Sequence, residues 1–270
     1  MNTALGEATH AEWTKLRTVS STGWLLLTMI VVTVGFSILE VVVQKCPTSC
    51  SYDTPKLSLT GILVAQAAVA VLAVLVVTGE YSSGMIRITL TAVPRRITAL
   101  AAKAIVIGSV TFVAGLVGTA VAMLIAERKL HSGGWVSSVY PVWALTSGHG
   151  LQIVLGTAGV LAVAAILALS AGAVLRRSAA AITAVVVLLI VPVILGVILP
   201  QTAAVWVLRL TPASAFGLQQ GTPQYSQVMH ACLPYNGCFP LAPWNGFIVA
   251  CLWAAAALAL ATYVLRRRDA

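Results

Sequence analysis

The chain has 270 residues, 59% of them hydrophobic and only 9% charged, against roughly 25% charged in an ordinary soluble domain. So few charges cannot cover the surface of a water-soluble globule. The formal charge of +9 would suit a nucleic-acid binder, but the basic residues lie between apolar runs rather than on one soluble patch, so nucleic acid is not expected as a partner.

In chain order, the first segment places Trp13 and Leu16 on one helical face with Glu12, Lys15 and Arg17 around it. This pattern predicts a short helix lying in a membrane interface, anchored by Trp13, Lys15 and Arg17. Six apolar runs follow: Gly23 to Val43, Leu57 to Thr78, Leu100 to Ala126, Leu151 to Leu175, Ala179 to Leu199, and Gly246 to Leu265. Each reaches the roughly 20 residues that a helix needs to cross about 30 Å of hydrocarbon. Glu40 and Lys103 are the only charged residues in them, both near run ends. The expected fold is therefore all-α, a single polytopic transmembrane domain. The first run is long enough to span and is expected to remain as an anchor rather than be cleaved.

Between the second and third runs, Ser82 or Ser83 can cap a short helix whose apolar face is Ile86, Leu90 and Val93. Pro94 ends it, and Arg95, Arg96 and Lys103 are expected to hold the start of the third span to the headgroups. Ala114, Gly118 and Ala122 in that span are small residues at four-residue spacing, suited to close helix packing. Pro192 is expected to kink the fifth span. The stretch from Pro200 to Asn245 is irregular but carries Val205, Trp206, Leu208, Phe216 and Leu218. It is too apolar for a free loop, and short helices dipping into the membrane are expected there.

Two markers orient the spans. With the N-terminus inside, eleven Lys and Arg fall on the inner side and five on the outer, so the positive-inside rule puts both termini in the cytoplasm of a plasma membrane. The basic surplus is suited to meet anionic lipid. Cys46, Cys50, Cys232 and Cys238 then lie in outer loops, where disulfides persist, with three connectivities open.

Chemistry is mostly missing. The sequence contains no phosphate-cradling G-x-x-x-x-G-K-[ST] loop, no H-E-x-x-H, no G-x-S-x-G and no metal-ligand pattern. Neither an enzyme nor a resident metal is expected. The middles of the spans offer only neutral polar groups such as Gln66 and Gln152, which disfavours an ion-coupled carrier. A membrane subunit that recruits a cytoplasmic partner for sensing or resistance, without transport, is another reading of the same pattern.

The stretch E-Y-S-S-G-M-I-R-I-T-L-T-A-V-P-R-R, Glu80 to Arg96, resembles the inner loop of type-2 ATP-binding-cassette export permeases, and the opening A-E-W-T-K-L-R-T resembles the actinobacterial members. The resemblance implies that Glu80, Tyr81, Ser82, Ser83, Gly84, Met85, Ile86, Arg87 and Leu90 belong to a coupling helix that docks on a separate ATPase. It implies two copies of that ATPase, carrying ATP and Mg, and a second permease subunit in a homodimer or heterodimer, with no cofactor in this chain. The segment before the last span would correspond to outer re-entrant helices, and the cargo would be an amphiphilic or hydrophobic antibiotic, lipid or peptide.

Overall fold

A computed structural model describes residues 2–43, 58–82, 96–132, 147–219 and 241–267. Within these the chain is helical apart from short connections. The elements are α1 (Asn2–Thr18), α2 (Ser20–Val43), α3 (Gly61–Ser82), α4 (Arg96–Ser132), α5 (Gly148–Leu175), α6 (Ser178–Ile198), α7 (Gln201–Leu210), a 3-10 segment (Pro212–Gln219) and α8 (Pro243–Arg267). Six of them, α2 to α6 and α8, are long and apolar enough to cross a membrane.

Burial sorts these six into a centre and a rim. Helix α5 is the centre: most of its residues are buried, and it packs against α3, α4, α6, α8 and the 3-10 segment. Rim helices bury one stripe each. In α6 the stripe is Ala181, Val185, Leu189, Pro192 and Gly196, and in α8 it is Gly246, Ala250, Ala254 and Ala261, positions that share a helix face at 3.6 residues per turn. Their other faces stay apolar and exposed, with Val187, Ile194, Ile248, Leu252 and Leu260 pointing outward. A helix apolar on every side suits hydrocarbon as its solvent. Trp24, Trp206 and Trp244 are exposed near span ends, as aromatic belts require.

Small residues set the close crossings. A side chain on Gly61 would meet the Thr33 carbonyl of α2 at 2.6 Å, and one on Gly115 would meet Cα of Ala158 in α5 at 3.2 Å. Ala114, Gly118 and Ala122 are all buried, and Gly118 lies against Ile30 and Thr33. Pro192 lies inside α6, which continues across it.

Two spans differ most from the sequence reading, each at both ends. The third span is longer at both ends, covering Arg96–Ser132, and its 37 residues extend about 55 Å. The second begins and ends four residues later than expected, at Gly61 and Ser82. Its helix runs on past Gly79 because Glu80, which reads as a loop residue in isolation, is charge-paired inside the bundle.

Candidate functional site

Among the described residues the buried charged side chains, Glu12, Glu80 and Lys103, meet where α1, the last turn of α3 and the early turns of α4 converge. Lys103 lies seven residues into α4, about 10 Å from its start, and is 4% exposed. Its Nζ donates to Glu80 Oε1 at 2.6 Å and to Glu12 Oε2 at 2.7 Å. Lys15 closes the figure, with Nζ 3.0 Å from Glu12 Oε1 and 3.0 Å from Glu80 Oε1. Two carboxylates and two ammoniums form a neutral quartet. Glu12 and Glu80 are as buried as Lys103, whereas Lys15 is partly open to its surroundings.

Each member is placed by helix geometry. Ala8, Glu12 and Leu16 fall four residues apart on the face of α1 that packs on the bundle, while Trp13 and Arg17 face outward. Glu12 and Lys15 are one turn apart and pair within α1. Glu80 projects from the end of α3, and Lys103 faces it from α4. Burial alone would lower the affinity of Lys15 for its proton, but hydrogen bonds and charges from Glu12 and Glu80 outweigh it and raise the pKa above the ordinary 10.5. The ammonium of Lys15 is thus held in its charged form. Removing one member of a buried ion pair is costly, about 3 to 5 kcal/mol, because the partner is left uncompensated.

The same turn of α3 is gripped from another side. Tyr81 lies under the guanidinium of Arg176, 5.1 Å from its ring centroid. Arg176 ends α5 with φ 54°, a left-handed conformation that costs a non-glycine residue roughly 1 to 2 kcal/mol. Its backbone N–H donates to Gly172 O at 2.9 Å, which caps the helix. Consecutive residues Glu80 and Tyr81 therefore connect α3 to α1, α4 and the tight α5–α6 turn.

These contacts revise several expectations. Lys103 is not an anchor to headgroups: it points inward, because Glu12 and Glu80 offer it stronger partners than lipid could. Ser82 is the last residue of α3, and its hydroxyl donates to Gly79 O at 3.1 Å. Glu80, Tyr81 and Ser82 belong to the span helix rather than to a separate loop helix. Lys15 is half ion pair and half surface group, while Trp13 and Arg17 are exposed. The remaining expected loop residues, Ser83, Gly84, Met85, Ile86, Arg87, Leu90 and Arg95, and the cysteines Cys46, Cys50, Cys232 and Cys238 lie outside the described residues. Arg96 begins α4. Sequence reading missed Glu12 and the inward turn of Lys103. A signal existed: a lysine inside an apolar run needs an acid, and the chain has only seven acidic residues to supply one.

At the opposite end of the bundle the contacts are of another kind. All eight residues of the 3-10 segment are buried, boxed by α5, α6, α7 and α8. A side chain on Gly246 would collide with the Ser214 carbonyl, and Gly156 meets Leu218. The Ser214 hydroxyl lies 2.9 Å from Thr211 O and 3.0 Å from Gly246 O, and Trp253 Nε1 donates to Leu210 O at 2.8 Å. Among the described residues no three His, Cys, Asp or Glu side chains are grouped to hold a metal.

No protein-family model matches the chain, and no curated protein matches it significantly.

Proposed function

We propose that this chain is the membrane-spanning permease subunit of an ATP-driven exporter of the type-2 ATP-binding-cassette class. The observation that carries the reading is the position of Glu80 and Tyr81. They open the stretch whose wording resembles a coupling helix, and they tie the end of α3 to three other elements at once. A push on residues 83–95 would reach α1, α4 and the α5–α6 turn through short charged and aromatic contacts. That is what a subunit without its own nucleotide site needs in order to use a partner's ATP.

In this reading the α1 end is cytoplasmic, as the basic surplus favours, and α1 lies along the inner leaflet with Trp13 and Arg17 at its surface. The α7 and 3-10 elements enter the outer leaflet and return, with backbone groups shielded by α5, α6 and α8. Two copies of a cytoplasmic ATPase bind two permease subunits. Nucleotide binding favours one of two packings of the spans through its differential affinity for them. Apolar spans with few polar groups suit an amphiphilic or hydrophobic cargo, an inference resting on fold-level analogy.

An ion-coupled carrier is the second reading, since Glu80 and Lys103 are ionisable groups buried in the bundle. Their place at one end rather than at mid-depth, and their mutual neutralisation, favour a structural role. Affinity purification of the tagged chain from its native membrane tests the first reading. A stoichiometric ATPase should co-purify and should be lost when Met85, Ile86 and Leu90 are changed to Asp; retention of both complex and transport in that variant would refute the coupling assignment.

A further inference from the structure

We infer that α1 is a detachable clamp, held on the bundle mainly by charge and able to leave it without stranding a buried ion. The argument rests on how the quartet divides. Glu12 and Lys15 both belong to α1, and Glu80 and Lys103 both belong to the α3–α4 body. Each half is one carboxylate with one ammonium, already in contact at 3.0 Å and 2.6 Å respectively. The cross contacts, Lys103 to Glu12 and Lys15 to Glu80, attach one half to the other.

Buried ion pairs ordinarily resist separation because one charge is left without its partner. Here separation yields two neutral pairs. Glu80 is also prepared for the change: its Oε1 accepts from both ammoniums, while Oε2 is buried with no hydrogen-bond partner among the described residues. When Lys15 departs, Lys103 can engage both oxygens of Glu80, replacing the contact it loses with Glu12. An arrangement with both acids on α1 and both lysines on the body would have fixed α1 permanently.

Apolar packing beside the charges is confined to a narrow stripe. Along the part of α1 whose side chains are described, Ala8 and Glu12 are the buried ones, Leu5 and Leu16 are half-buried, with Leu16 against the core, and Trp13 is 45% exposed. On its C-terminal side α1 joins α2 through Val19 alone, which is non-helical and exposed. The junction is bridged by Val19 N–H to Lys15 O at 3.2 Å and Thr22 N–H to Val19 O at 3.1 Å, and it is the point about which α1 would turn.

The test uses the full chain in lipid nanodiscs, with Ala8→Cys reporting on α1 and Ala73→Cys, in the core of α3, reporting on the body. Both sites are buried, so maleimide modification, located by peptide mass, measures opening. Neutralising α1 with E12Q plus K15Q should speed labelling at position 8 by about ten- to a hundredfold, the range for losing a charge-assisted hydrogen bond, and leave position 73 unchanged. Neutralising Glu80 alone (E80Q) should not speed labelling at position 8 and is expected to slow it, since Glu12 is then the acid left to Lys103 and α1 could leave only by stranding that ammonium. Hydrogen exchange of the α1 amides in the chain without added cysteines should repeat the ordering. Unchanged labelling at position 8 in E12Q plus K15Q, or equal acceleration at position 73, would overturn the inference.

Discussion

The two ends of this bundle are built from opposite materials. At the α1 end, four charged side chains converge and helices meet through directional contacts of 2.6 to 3.0 Å. At the other, an eight-residue 3-10 segment is sealed by glycine and alanine surfaces, with the Gly246 backbone against Ser214. Charge contacts can exchange partners at modest cost if neutrality is kept, whereas close backbone packing has no alternative arrangement. One end is therefore suited to switch and the other to hold, a division that fits a subunit driven from one side.

The sharpest way to break this contrast is Lys103→Ala. It leaves Glu12 and Glu80 to share the single ammonium of Lys15 in a buried site, and a loss of about 3 to 5 kcal/mol is expected, read as a lower midpoint in denaturant titration of the detergent-purified chain. Lys103→Ala combined with Glu80→Ala should recover a substantial part, because the body is again neutral. At the far end, Gly246→Ala should cost about 1 to 3 kcal/mol by overpacking, with no recovery from any charge substitution and no effect on labelling at position 8. Loss of α1 docking in Gly246→Ala would show that the two ends are not independent.

A smaller effect separates backbone from side chain at Arg176. Arg176→Ala keeps the left-handed strain and loses the stack on Tyr81, so a loss of about 0.5 to 1 kcal/mol is expected. Arg176→Gly loses the same stack but relieves a strain of roughly 1 kcal/mol, so its stability should lie near the original. A glycine variant less stable than the alanine one would contradict the role given to φ.

The smallest effect is one of pH. The pKa of Lys15 is raised by its acids, so its stabilising contribution is complete below the ordinary value of 10.5 and is lost as pH rises through the raised folded value. The stability difference between the original chain and Lys15→Met should therefore be constant from neutral pH to about 10.5 and close only above it. A difference that shrinks between neutrality and that point would argue that Lys15 is not paired as described.

What could be read without coordinates depended on whether the signal was local. The six spans were legible because hydrocarbon imposes a length and a composition on each helix separately. Small residues such as Gly118 announced close packing correctly, but not that Ile30 and Thr33 would be the neighbours. The end of α3 was misplaced because the partners that keep Glu80 helical are 23 and 65 residues away. Lys103 was misread for the same reason: Glu12 lies 91 residues from it, and nothing within one helical turn reveals the pair. Arg176 gave no sign of its positive φ, since arginine is not a residue that sequence patterns assign to left-handed caps.

The proposed function is tested most directly by the energy source for export in inverted membrane vesicles containing the chain and the ATPase that co-purifies with it, with a fluorescent amphiphilic dye as probe. Uptake that requires ATP, persists with a protonophore and falls in the Met85→Asp, Ile86→Asp, Leu90→Asp variant is the expected result. Uptake that proceeds without ATP and collapses with the proton gradient would contradict it, and would assign the Glu80–Lys103 pair to ion coupling instead.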